Sequence, residues 1–292
     1  HTPTRRQRQM CIRDSYLAKQ LGAKKTIARI SNPELKENDN IDFSELGISE
    51  LISPEILTSK EINMAINRAE FTDPFEFEGG ALITLGLSAT HTSTFVGKTV
   101  VEAAEIFPET HFFPISIKRD EKTIIPRGDT VFHSGDHIVF MTEPGGEEEL
   151  LKLSGQNNGV IKNVMILGGG RVGKKVAQDL SSNNFNVKLV EIDKDRAEEL
   201  AEDLENCLVI YGDGTNTELL DEESLDQMDS FIAVTGDSED NIMSSLIAKS
   251  KGINKTIALV DNLDYYKLTQ ISGIDTLINK KLLAADAISK HV

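Results

Sequence analysis

An internal repeat constrains this chain more than any other feature. The segment Leu21-Gly-Ala-Lys-Lys-Thr-Ile-Ala-Arg-Ile-Ser-Asn32 matches Lys251-Gly-Ile-Asn-Lys-Thr-Ile-Ala-Leu-Val-Asp-Asn262, with Gly22 falling on Gly252 at a shift of 230 positions. The match resumes where Leu46-Gly-Ile-Ser-Glu-Leu-Ile-Ser53 meets Ser272-Gly-Ile-Asp-Thr-Leu-Ile-Asn279, Gly47 now falling on Gly273 at a shift of 226. The four-residue difference places an insertion in the first copy, in the polar stretch Glu37 to Asn40. Both copies then enter an apolar-periodic helix, Ile56 to Ile66 and Leu282 to Ile288. A period this long repeats whole domains rather than single hairpins or helix pairs.

The alignment also indicates what each copy holds. The second has about ninety residues, Val160 to Ser250, with no counterpart before Tyr16, and the first continues from Glu78 to Leu153 with no counterpart after Val292. The chain is therefore expected to be a piece of a longer protein, cut at both ends. Four segments follow: a foreign or unstructured leader at 1–15; the C-terminal part of a first nucleotide-type domain with its linking helix at 16–77; a small α+β module at 78–155; and a second, fuller nucleotide-type domain with the start of its linking helix at 160–292. The leader is set apart because Arg5, Arg6, Arg8 and Arg13 face one acid, Asp14, with no helical or strand period. The module shows short β-leaning runs at Ala81 to Leu87, Phe113 to Ile117, Thr130 to Phe132 and His137 to Met141, broken by Pro126-Arg-Gly-Asp129 and Ser134-Gly-Asp136. One helix, Thr99 to Ile106, interrupts them, and Ser154 to Gly159 reads as a linker.

The chemistry lies in the second copy. An apolar strand from Asn163 runs into Gly168-Gly-Gly-Arg-Val-Gly173 and then a helix, which is G-x-G-x-x-G in its proper setting. Gly168 permits the turn, Gly170 admits a pyrophosphate close to the backbone, and Gly173 lets the helix lie on the strand. The loop Gly168, Gly169, Gly170, Arg171, Val172 and Gly173 is thus a candidate phosphate cradle at a helix N-terminus. A second strand, Val187 to Val190, ends at Glu191, close to the separation of about 20 residues expected of a ribose-binding acid. A carboxylate there accepts from ribose hydroxyls and repels a 2′-phosphate, favouring NAD or an adenosine nucleotide over NADP. The alternative is a solvated charge closing the strand. The strand Cys207 to Tyr211 ends in Gly212-Asp-Gly-Thr215, and Phe231 to Val234 ends in Thr235-Gly-Asp237, so Asp213, Thr235 and Gly236 join the candidate site at one set of strand ends. Asp213 reads equally as a turn-former, and Asn241 equally as a helix cap or a ligand contact. The expected fold class is α/β, a Rossmann-like doubly wound parallel sheet with the small α+β domain between two copies.

Other classes fit less well. A net charge of −16 opposes a phosphate backbone, so nucleic acid is not an expected partner. No apolar run reaches the roughly 18 residues of a membrane span. Cys11 and Cys207 have no metal-binding spacing and are too few for a disulfide framework. His91, His111, His133 and His137 share no helical spacing and are expected at the surface. An NAD-dependent oxidoreductase needs an acid or base beside the nicotinamide, yet the second copy has no histidine before His291.

Taken together, the glycine run, Glu191-Ile-Asp193, Gly212-Asp-Gly-Thr215, Thr235-Gly-Asp-Ser-Glu-Asp-Asn241 and Lys255-Thr-Ile-Ala258 resemble the RCK or KTN family that regulates potassium transport, and the module around Ile125-Pro-Arg-Gly-Asp129 is similar to its C-terminal ligand domain. The resemblance covers Tyr16 to Val292. It implies a non-catalytic regulatory subunit, cytoplasmic and attached to the inner face of the membrane through a membrane-embedded potassium transporter subunit of Trk type, built into a homo-oligomeric ring of RCK domains. NAD(H), and ATP or ADP, are the implied ligands, with Gly168 to Val172 on the phosphates, Glu191 on the ribose, and Thr235 and Gly236 as crevice wall. Arg29 matches the family's arginine near the nucleotide, whereas Leu259 replaces it in the second copy. A gating module of a potassium channel or efflux system is the closest alternative within the same family.

Overall fold

The structure is a computed structural model that describes residues 5–31, 42–68, 71–77, 80–106, 112–120, 122–155, 161–262, 264–265 and 273–290. It divides into two units, one made of His1–Ile66 with Ile161–Val292 and the other of Asn67–Val160. The insertion at Glu37 to Asn40, His111 and the linker beyond Gly155 lie outside the described residues.

The first unit is organised by a six-stranded parallel sheet. Its strands are β8 (Asn163–Leu167), β9 (Asn186–Glu191), β10 (Cys207–Tyr211), β11 (Ser230–Ala233), β12 (Lys255–Leu259) and β13 (Thr276–Ile278). Their spatial order, β10-β9-β8-β11-β12-β13, is the doubly wound dinucleotide-fold order, reversing direction between β8 and β11. The expected fold class holds here. Helices α5 (Arg171–Ser182), α6 (Lys194–Asp203), α7 (Thr217–Glu222), α8 (Ser238–Ser250) and α9 (Lys280–Ser289) alternate with the strands. Central strands in such a sheet are covered on both faces and so read as continuous apolar runs. Val164, Met165, Ile166 and Leu167 are all buried, as are Phe231, Ile232 and Ala233.

The first copy supplies α1 (Arg5–Gln20), β1 (Ile27–Arg29), β2 (Glu50–Ile52) and α2 (Pro54–Asn67) to the same unit. Strand register bears out the repeat. Ile27 pairs with Glu50 as Ile257 pairs with Thr276, which reproduces both shifts, and α2 begins at Pro54 where α9 begins at Lys280. Contacts recur with it. Lys19 Nζ donates to Lys24 O at 3.1 Å and Lys249 Nζ to Asn254 O at 3.2 Å, while the Thr26 N–H reaches Ser49 Oγ as the Thr256 N–H reaches Asp275 Oδ2.

Two boundaries differ from the sequence expectation. Helix α1 runs back through 5–15, the segment expected as a foreign or unstructured leader, and it ends at Gln20 where α8 ends at Ser250. It is the first copy's counterpart of α8. Ile12, Ser15, Ala18 and Lys19 coincide with Ile242, Ser245, Ala248 and Lys249 at the same shift of 230. The run of Arg, Gln and Met before them has high intrinsic helix propensity, which needs no apolar period to persist. The second difference is the edge of the small domain, which lies at Asn67 rather than 78. Strand β3 (Thr72–Phe77) carries Pro74 and was unreadable as a strand, but it pairs only with β4 (Leu82–Ser88) at the sheet edge, where a missing N–H is tolerated.

The second unit is an antiparallel sheet in the order β3-β4-β7-β5-β6, adding β5 (Phe112–Arg119), β6 (Lys122–Ile124) and β7 (His137–Thr142), with helices α3 (Val100–Ile106) and α4 (Glu147–Ser154). The run Thr130 to Phe132, expected as a strand, makes a single bridge from Val131 to Thr99. Phe95 sets its ring edge-on to Phe132 and Phe140, with centroids 5.3 and 6.0 Å away. Such aromatic pairs add about 0.5–1.5 kcal/mol each beyond area burial. The Asp136 side chain is 1% exposed and takes Arg119 in a fork, Nε to Oδ1 and Nη2 to Oδ2, both at 2.7 Å, while the His133 N–H donates to Oδ2 at 2.8 Å.

Candidate nucleotide crevice

Each glycine of the loop answers to a different constraint. Gly168 stands at φ +102°, where a side chain is strained, and a Cβ there would also meet the Thr235 backbone at 3.0 Å. A Cβ on Gly169 would lie 2.3 Å from Leu200 Cδ1 and 2.8 Å from Glu191 Oε2, and one on Gly173 would lie 1.9 Å from the Gly168 carbonyl oxygen. Gly170 is different. Its φ of −62° is open to any residue and a Cβ would meet nothing within 4 Å, so the fold itself does not require glycine there. A ligand running close over the backbone would.

The donors sort in the same way. Gly168 N–H is consumed by Val190 O at 2.9 Å and Gly169 N–H by Glu191 Oε2 at 2.7 Å. These two residues, expected to contact phosphate, spend their amides inside the fold. The first residues of α5, Arg171, Val172 and Gly173, have no intrahelical carbonyl for their N–H groups. Helices α6 to α9 satisfy that need with the cap side chains of Asp193, Asn216, Asp237 and Asn279. Helix α5 instead opens on Gly170, which has no side chain to offer. Amides, dipole and a tight backbone approach together fit a diphosphate.

Other expected residues gather around the loop. Glu191 closes β9 half-buried, Oε1 accepting from the Asp193 N–H at 2.9 Å and Oε2 from Gly169. Each oxygen keeps a lone pair for a sugar hydroxyl. Asp213 follows β10 and turns back on its own loop, accepting from Thr215 N at 2.9 Å and Thr215 Oγ1 at 2.7 Å. The Thr215 N–H and hydroxyl together hold its carboxyl below the usual carboxylate range. The turn-former reading accounts for all of these contacts. Gly214 brings that turn against β8, since a Cβ there would lie 2.1 Å from Leu167 Cδ1. Thr235 abuts Gly168, and a Cβ on Gly236 would be uncontacted. Arg29 is placed elsewhere: it closes β1 in the separate two-stranded sheet, exposed and paired with Ile52, where the second copy has Leu259. This sequence holds no glycine loop of the first copy for it to face.

Asn241 does not cap α8. It is 1% exposed, and Asp237 caps α8 instead. Its Oδ1 accepts from Thr235 N at 2.9 Å and Thr235 Oγ1 at 2.7 Å, and its Nδ2 donates to Leu259 O at 2.9 Å, tying the ends of β11 and β12 together. Asn241→Ala strands these buried groups and should cost about 2–4 kcal/mol, measured by urea denaturation; a loss under 0.5 kcal/mol would mean solvent replaces the amide. Sequence reading also missed Arg196, whose Nε donates to Gly169 O at 3.4 Å. Its only sequence signal is an arginine in the first turn after the acid-ended strand. Cys207 is inert by its surroundings, since burial pushes its thiol up to about 11.

Comparison with known proteins follows this geometry. A TrkA-N domain model matches residues 164–280 and a TrkA-C domain model matches 87–155. The chain is 34% identical over 271 residues to the Trk system potassium uptake protein TrkA of Haemophilus influenzae, covering 91% of this chain and 58% of that protein. It is 31% identical over 273 residues to a TrkA homolog of Archaeoglobus fulgidus, covering 94% and 62%. The chain thus spans about three fifths of the length of these curated relatives. Among solved structures, the GsuK channel bound to NAD superposes with a TM-score of 0.64 at 19% identity, over 95% of this chain and 48% of that one. The GsuK RCK domain gives 0.63 at 18%, over 95% and 59%. These two likenesses show a shared fold.

Proposed function

Since the chain belongs to the TrkA-type RCK family, we propose that it is the nucleotide-binding part of a regulatory subunit that gates a Trk-type potassium transporter. The observation that carries the proposal is the α5 N-terminus, where amides without a side-chain cap meet a glycine the fold does not require, beside an acid closing the next strand. Arg171 to Gly173 would hold a diphosphate by their N–H groups and Glu191 the adenosine ribose, with Gly170 allowing the close approach and Thr235 and Gly236 walling the crevice. NAD(H) is the favoured ligand, since a carboxylate at Glu191 repels a 2′-phosphate; ADP and ATP share the same diphosphate and ribose. The GsuK structures bound to NAD and to ADP support this range.

No bond is made or broken in this reading. A ligand shifts a regulatory assembly only through different affinities for its states. The partner is a membrane-embedded transporter subunit contacted through a ring of RCK domains, on the cytoplasmic side. Among the described residues no helix is long and apolar enough to cross a membrane, so attachment through that partner is the proposal. Isothermal titration with NAD tests the site. Glu191→Ala should weaken binding about tenfold or more, through both the ribose and the freed Gly169 amide. Unchanged affinity removes Glu191 from the site.

A further inference from the structure

The geometry points to Arg196 as a positioning residue that aims the phosphate-binding amides of the glycine loop, an inference that rests on the nucleotide reading above. Two successive peptides of the loop are held by side chains from the end of β9 and the first turn of α6. The Gly168–Gly169 peptide is fixed through its N–H, donated to Glu191 Oε2 at 2.7 Å. The Gly169–Gly170 peptide is fixed through its carbonyl, which accepts from Arg196 Nε at 3.4 Å. In a planar trans peptide the C=O and N–H point to opposite sides. Holding the Gly169 carbonyl toward α6 therefore turns the Gly170 N–H away from α6. Three consecutive glycines have the widest backbone freedom of any tripeptide, so this is where restraint counts most.

Arg196 is itself held. Its backbone N–H is capped by Asp193 Oδ1 at 2.9 Å, and its Nη1 donates to Glu199 Oε2 at 3.0 Å. Asp193 in turn donates its N–H to Glu191 Oε1. The result is a closed circuit from Gly169 through Glu191, Asp193 and Arg196 back to Gly169. It sets the loop before any ligand arrives, and preorganisation of that kind raises affinity by reducing what binding must order. A merely structural role predicts something else: the Arg196–Glu199 pair lies at the surface, with the arginine side chain 37% exposed, and such pairs contribute little to stability.

The test compares the wild type with Arg196→Ala, Arg196→Lys and Lys194→Ala, a control from the same helical turn whose side chain is 68% exposed. NAD and ADP binding are measured by titration calorimetry, thermal stability by circular dichroism, and amide exchange of 168–173 in nucleotide-free protein by mass spectrometry. Arg196→Ala should melt as the wild type does, lose about tenfold in affinity for both nucleotides, and exchange its loop amides faster before ligand is added. Arg196→Lys should recover part of both losses, because an ammonium can still donate to the Gly169 carbonyl, and Lys194→Ala should match the wild type. Wild-type affinity in Arg196→Ala overturns the inference alone. Weaker binding with unchanged exchange also overturns it, making Arg196 a direct ligand contact. If the wild type binds neither nucleotide, the reading of the site falls and this inference with it.

Discussion

Gly173→Ala should destabilise the first unit by about 3 kcal/mol and abolish nucleotide binding, because the new methyl would sit 1.9 Å from the Gly168 carbonyl oxygen. The obstacle is backbone, which cannot rotate out of the way as a side-chain tip can. Alanine's better helix propensity returns only about 0.5–1 kcal/mol of that. Either α5 lifts off the sheet or the loop opens, and both scatter the amides of Arg171 and Val172. Gly170→Ala is the matched contrast. With φ −62° and no neighbour within 4 Å, it should keep stability within about 1 kcal/mol while weakening nucleotide binding at least tenfold. Urea denaturation with calorimetry on the two variants separates packing from recognition. Equal behaviour of the pair would refute the division of labour drawn for the loop.

The second large effect lies in the TrkA-C unit. Asp136→Asn should destabilise that unit by about 3 kcal/mol, since it removes the charge that Arg119 is held against at a buried position. Burial alone would raise the Asp136 carboxyl, but the Arg119 fork and the His133 N–H outweigh it and hold the group below the usual range. A carboxyl depressed on folding stabilises the native state fully above its unfolded value, near pH 4, and that contribution fades as pH falls through the lower folded value. The wild-type unit should therefore weaken below about pH 4, and Asp136→Asn should lose this part of the dependence. Hydrogen exchange read on β4 and β7 reports the unit separately from its neighbour. A variant whose pH profile parallels the wild type would show that other carboxylates carry the acid sensitivity.

Much of the fold was legible because parallel strands covered on both faces leave unbroken apolar runs, as in Val164 to Leu167, and because two copies of one unit cross-check each other. The shifts of 230 and 226 reappear in the pairing of β1 with β2 and β12 with β13. The misses have physical causes. Helix α1 lacks an obvious apolar period at its start, and only its four identities with α8 mark it in the sequence. Strand β3 carries a proline that only its edge position excuses. At the site, residue type and spacing singled out Gly168 to Gly173 and Glu191 as candidates, but not which way each amide points. That direction depends on Arg196, whose contact crosses from one βα unit to another and leaves no spacing rule behind.

The central claim is that the first amides of α5 hold a diphosphate. Titrating isotope-labelled protein with NAD and following backbone amide resonances tests it directly. The largest, saturable shifts should fall on Gly170, Arg171, Val172 and Gly173, with Glu191 and Thr235 following at the same Kd. Shifts that leave those four amides unmoved while saturating elsewhere would contradict the account.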